Sequence, residues 1–158
     1  MSSYNQKYMD EAIALSLENV EKGNGGPFGA VIVKDDSVVA RGANSVTARN
    51  DPTAHAEVVA IRQACAVLKS FQLTGCQVYS SCEPCPMCLG ALMWARPEKI
   101  YYANTRLDAA RIGFDDAMIY EQLTVAPEQR LIKCVHVGAT QAAHAFELWV
   151  EKSEKIRY

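Results

Sequence analysis

The sequence predicts an α/β fold, a mixed five-stranded sheet between helices in three layers, α/β/α. Three observations predict it. Helical and β-rich segments follow in the order α-β-β-α-β-α-β-…-β-α, a hairpin first and βαβ units afterwards. The chain has 158 residues, 49% of them hydrophobic and 22% charged, which suits one domain with a real core. No repeat, low-complexity tract or linker interrupts it, so a single domain over residues 1–158 is expected.

Met9, Ile13, Leu17 and Val20 recur at helical spacing among Asp10, Glu11, Glu18 and Glu21, and Gly23-Asn24-Gly25-Gly26-Pro27 ends that amphipathic helix. Residues 28–33 and 37–42 read as the two strands of a hairpin, joined through Lys34-Asp35-Asp36-Ser37. Asn50-Asp51-Pro52-Thr53 opens a second helix, with Val58, Ile61, Cys65 and Leu68 as its buried stripe and His55 and Glu57 in its first turn. Val78-Tyr79-Ser80 is a buried strand that delivers the chain into Cys82-Glu83-Pro84. A helix starts near Cys85 or Pro86, where proline is tolerated because its missing N–H would have no partner, and Pro97 stops it. Residues 100–103 form a fourth strand, 131–137 a fifth, and 141 to about 156 the last helix. In sheets of this kind, sites form at strand ends and helix N-termini.

Composition narrows the partners. A formal net charge of -2 gives no general basic field for phosphate backbones and disfavours nucleic acid. No apolar run is long enough to span a bilayer, and residues 1–10 lack the basic start and apolar stretch of a secretory signal. The cytoplasm is the expected compartment. There, six cysteines are thiols or metal ligands rather than disulfides.

The chemistry concentrates in His55-Ala56-Glu57 and Pro84-Cys85-Pro86-Met87-Cys88. One imidazole and two thiolates make a zinc site with three protein ligands and a fourth position open to water. Cys85 and Cys88, three apart at a helix start, point the same way, and the helix dipole favours their thiolates. Glu57 is two residues from His55, so it does not share its coordination direction and can face the water as a proton carrier. Each half is weak alone: C-x-x-C also occurs in redox pairs and structural zinc sites, and H-x-E is mostly chance. A zinc-stabilised binding domain would need a fourth protein ligand such as Cys82 and would have no use for Glu57. Cys82 lies on the strand side of Pro84, so it is expected near the metal rather than on it. Cys65, Cys76 and Cys134 read as small buried thiols.

At these residues the chain resembles the cytidine deaminase superfamily, and within it the small bacterial guanine deaminases; H-x-E … P-C-x-x-C is the signature of zinc nucleobase deaminases. The likeness also runs through Gly26-Pro27-Phe28-Gly29-Ala30-Val31-Ile32-Val33, Asn50-Asp51-Pro52-Thr53, Ser81-Cys82-Glu83 and Gly113-Phe114-Asp115-Asp116. It implies hydrolysis of guanine to xanthine and ammonia by zinc-bound hydroxide, with His55, Cys85 and Cys88 holding Zn2+ and Glu57 shuttling protons. It further implies that Asn44 contacts the base, that Phe28 and Trp94 wall the pocket, and that the backbone of Ala56 donates to the base. Asp116, or its neighbour Asp115, is the second acid by the same likeness, although either carboxylate could equally cap a helix starting at Ala117. Finally, it implies a homodimer in which about residues 139–158 exchange between protomers, Trp149 and Tyr158 closing the partner's pocket. A tail packed in cis is the plain alternative. The enzymatic rivals are a tRNA adenosine deaminase, which should carry a basic RNA surface, and a deaminase of cytosine or another small amino-heterocycle.

Overall fold

In the computed structural model, which describes residues 3–157, the sheet has four strands rather than the five predicted. Strands β1 (Gly29–Lys34) and β2 (Ser37–Ala43) form the expected hairpin. Asp35 and Asp36 turn it with φ of 48° and 53°, the two-residue geometry that matches strand twist. Strand β3 (Cys76–Cys82) pairs antiparallel with β1, and β4 (Lys99–Asn104) pairs parallel with β3, giving the order β2-β1-β3-β4. Every residue of β3 is buried. A strand covered on both faces reads as a continuous run, not an alternating one.

Helices cover both faces, so the three layers stand as predicted. Helix α1 (Gln6–Glu21) packs Tyr8, Met9 and Ala12 against Val31, Val33 and Tyr79. A one-turn helix, α2 (Val46–Arg49), follows the hairpin and ends at Asn50 in the left-handed conformation. Helices α3 (Ala56–Leu68) and α4 (Pro86–Ala95) lie on the opposite face. There Ala56, Ala60, Ala64, Leu92 and Ala95 meet Ala30, Ile32, Ala40 and Val78. Each fully buried Ile or Leu, such as Ile32, Leu73 and Leu92, contributes roughly 2 kcal/mol of transfer free energy. The alanines of α3 let the helix come down close to the sheet: a Cβ on Gly42 would stand 2.1 Å from the Ala56 carbonyl oxygen. Helix α5 (Arg106–Arg111) follows β4, and Thr105 and Asp108 form its capping box.

The chain divides into two units, Met1–Asp116, described above, and Ala117–Tyr158. The second contains α6 (Ala117–Thr124), a 3-10 turn (Pro127–Gln129) and α7 (Thr140–Glu151). Residues 131–137, predicted as the fifth strand, form no strand here. Their apolar, β-branched composition fits a strand. A strand exists only as one side of a ladder, however, and local pattern does not name the other side. Cys134, expected to be buried in that strand, is exposed. Helix α7 stops at Glu151 rather than near residue 156 because Lys152 leaves the helical region, with ψ of 119°. No described residue of α6 or α7 is buried. Among the described residues, no helix is long and apolar enough to cross a membrane.

Candidate metal centre

His55 and Cys85 occupy equivalent places. Each is the N-cap of a helix with extended backbone, and each carbonyl accepts the first helical N–H, from Val59 at 2.9 Å and from Leu89 at 2.8 Å. Two helix N-termini thus carry the site. His55 lies just before the first turn where it was expected, and Glu57 lies within that turn. Cys88, one turn into α4, brings its thiol beside that of Cys85. The Nδ1 of His55 is 3.5 Å from each sulfur, and the three donor atoms all lie within 4.8 Å of one another.

This donor set fits zinc. Tetrahedral bond lengths place a nitrogen and a sulfur ligand about 3.6 Å apart, close to the separations seen. Soft sulfur with imidazole nitrogen is also the chemistry zinc selects. Cys82 does not join the group: its Sγ reaches the Thr105 carbonyl at 3.6 Å, and burial pushes its thiol up to about 11. That matches the expectation of a neighbour rather than a ligand.

The electrostatics anticipate a cation. The Cys85 thiol is held down at about 4, first by the S–H of Cys88 and then by His55. Cys88 is pushed up, first by its hydrogen bond to Cys85 and then by burial. His55 is raised, chiefly by Cys85. Without a cation the cluster therefore ionises one thiol at the expense of the other. A divalent cation removes that competition, since a coordinating thiol gives up its proton outright.

Glu57 is 6% exposed, and its Oε1 accepts the Ser80 hydroxyl at 2.9 Å. Burial raises its carboxyl pKa, opposed by hydrogen bonds that include Ser80 and Cys88. Asp116 is half-buried and also raised, first by burial and then by the Cys85 thiolate, so its carboxyl stands within electrostatic reach of the cluster. Asp115 is exposed.

Asn44 is buried; its Oδ1 accepts from the backbone N–H groups of Gly26 and Val46, both at 3.3 Å. Phe28 is half-buried and meets Phe114 edge to face at 5.0 Å. Ala56 is wholly buried at the start of α3, whereas Trp94 on α4 is 64% exposed. Tyr158 lies outside the described residues.

Sequence reasoning missed Ser80 and Phe114. The signal for Ser80 was available: strand period two from Cys76 through Val78 puts it on the face that α3 covers. Phe114 sat in plain view within Gly113-Phe114-Asp115-Asp116, but nothing in its spacing pairs it with Phe28.

Residues 2–104 match the family described as the cytidine and deoxycytidylate deaminase zinc-binding region. The chain is 50% identical over 153 residues to guanine deaminase of Bacillus subtilis (strain 168), spanning 97% of this chain and 98% of that protein. The X-ray structure of guanine deaminase from Bacillus subtilis aligns with a TM-score of 0.95 at 49% identity, covering 99% of each chain. A tRNA-specific adenosine deaminase of Aquifex aeolicus (strain VF5) is 46% identical over 77 residues, a likeness confined to 49% of this chain and 51% of that one.

Proposed function

The chain belongs to the cytidine and deoxycytidylate deaminase family, and on that premise we propose that it hydrolyses guanine to xanthine and ammonia. The end-to-end likeness to the Bacillus subtilis guanine deaminase carries this reading. The tRNA deaminase likeness covers half the chain, and the net charge of -2 does not favour an RNA partner.

His55, Cys85 and Cys88 would hold zinc, which when bound supplies an acidified water, its pKa lowered from about 15.7 toward about 7 in favourable sites. Glu57 takes the proton of the attacking water and passes it to the neighbouring ring nitrogen. It then takes the remaining proton from the hydroxyl now on the attacked carbon and gives it to the leaving amine, so that the C–N bond breaks, water's oxygen stays on the base as a carbonyl and ammonia departs. Burial raises the Glu57 carboxyl above an ordinary carboxylate, which favours its holding the proton between the two transfers. Ser80 steadies it by donating to Oε1. Asp116, also raised, serves as the second acid.

Asn44 acts as a donor to the base. Its Oδ1 is already engaged by two backbone N–H groups, so Nδ2 is the atom left to meet a ring acceptor. Phe28 and Trp94 wall the ring, with Phe114 backing Phe28, and the N–H of Ala56 at the start of α3 gives a further donor. The working form is a homodimer in which residues 139–158 exchange, Trp149 and Tyr158 closing the partner's pocket. Apolar side chains of α7 that remain exposed, Phe146 at 78% and Val150 at 71%, support it.

Ammonia release from zinc-loaded protein tests the substrate, with guanine, adenine, cytosine, guanosine, cytidine and a tRNA anticodon stem-loop offered separately. Guanine should dominate. Preferential deamination of the stem-loop or of cytosine overturns the assignment.

A further inference from the structure

One buried amide outside the site ties together the two segments that carry the base contacts. Asn19, near the end of α1, is 4% exposed. Its Nδ2 donates to the Gly26 carbonyl at 2.8 Å and to the Asn44 carbonyl at 2.8 Å. Both hydrogens of that amide are thereby used, one on each segment. The Asn19 backbone carbonyl also accepts the N–H of Asn24 at 3.1 Å, which holds the loop leaving the helix.

The segments are locked to each other as well. Asn44 N–H donates to the Phe28 carbonyl at 3.0 Å, and Asn44 Oδ1 accepts from Gly26 and Val46. They run so close that a Cβ on Gly25 would fall 2.3 Å from the Asn44 carbonyl oxygen. Asparagine is a poor helix former, and burying its amide is favourable only with partners in place. Asn19 is not the helix cap, a place held by Lys22. What its side chain does is set the main chain at Asn44.

We propose that Asn19 is a positioning residue for base recognition: by clamping the carbonyls of Gly26 and Asn44 it fixes the direction in which Asn44 Nδ2 presents its hydrogens. The inference rests on Asn44 being a base contact, and it extends the recognition machinery to a helix on the far side of the loop. Losing the clamp loosens binding of the base without touching the metal or Glu57.

A double-mutant cycle on the zinc-loaded full chain tests this, using Asn19→Ala, Asn44→Ala and the combined variant, with Asn19→Asp as a near-isosteric control. Asn19→Ala should raise KM for guanine about tenfold, with kcat changed by no more than about twofold and zinc content unchanged. Asn19→Asp should do at least as much, because a carboxylate would face two carbonyl oxygens. In the Asn44→Ala background, Asn19→Ala should add nothing, since the clamp then positions nothing. Additive losses overturn the proposal, and so does a variant with lowered Tm or zinc but unchanged KM. If the wild-type protein does not deaminate guanine, the functional reading fails separately. The clamp is then read from hydrogen exchange of the Gly26 and Val46 amides: faster exchange in Asn19→Ala supports it, and unchanged protection overturns it.

Discussion

The candidate metal corner and the proposed base wall are built by different means. The corner takes His55, Cys85 and Cys88 from two helix starts, where helical geometry alone sets the spacing of the sulfurs and aims both N-termini inward. The wall takes Phe28 and Asn44 from the ends of a hairpin and Phe114 from the loop after α5. Beyond the backbone bond from Asn44 to Phe28, these are held by added partners: Gly26, Val46, Asn19 and an edge-to-face ring contact. Regular structure positions the candidate metal ligands, and tertiary contacts position the proposed base wall. The two should therefore fail separately.

The largest effect should come from Glu57→Gln, which keeps the shape of the corner but removes the proton carrier. Turnover should fall about a thousandfold or more while metal analysis finds zinc at its normal level. A near-normal rate would take Glu57 out of its role. Deleting residues 139–158 should come next, lowering kcat/KM about a hundredfold with zinc retained, since the pocket loses its proposed cover. If the truncated enzyme deaminates guanine normally, that cover does not exist. Asn44→Ala should cost tens-fold in kcat/KM, roughly what an unpaired base acceptor costs, again with zinc in place. Zinc loss in this variant would show that corner and wall are not separable.

The smallest effect is a proton count. At neutral pH the Cys85 thiol, held at about 4, is already ionised, whereas Cys88 and His55 are both raised. Zinc loading at pH 7 should therefore release about one proton from Cys88 and a fraction of one from His55. Affinity should weaken as pH falls through the raised pKa of His55, sooner than an ordinary imidazole would dictate. Calorimetry in buffers of different ionisation enthalpy measures the count. Release of no protons would contradict the charge arrangement of the corner.

The same division explains what the sequence disclosed. His55, Glu57, Cys85 and Cys88 are legible because a metal site within one or two helical turns writes its geometry as residue spacing. The sheet hairpin is legible through Asp35 and Asp36, whose turn needs only local conformation. Strand alternation gives the face of Ser80 but not its partner Glu57, 23 residues away, and Asn19 shows no signal at all, because the Asn44 carbonyl it holds lies 25 residues away, a separation that carries no period. Residues 131–137 misled in the opposite direction. Their side chains are suited to a strand, yet Leu131, Ile132, Val135 and Val137 are all exposed, since composition does not supply a neighbouring ladder.

The contact at Gly42 sets a limit on how this scaffold can diversify. The Ala56 carbonyl occupies the place where any other residue would need its β-carbon, so main chain rests directly on main chain beneath His55 and Glu57. No compressible side chain lies between them to be trimmed or enlarged. Adaptation to a bulkier or differently shaped ring has no give in that direction, and must be sought by re-cutting the loops around residues 24–28, 44–46 and 113–116.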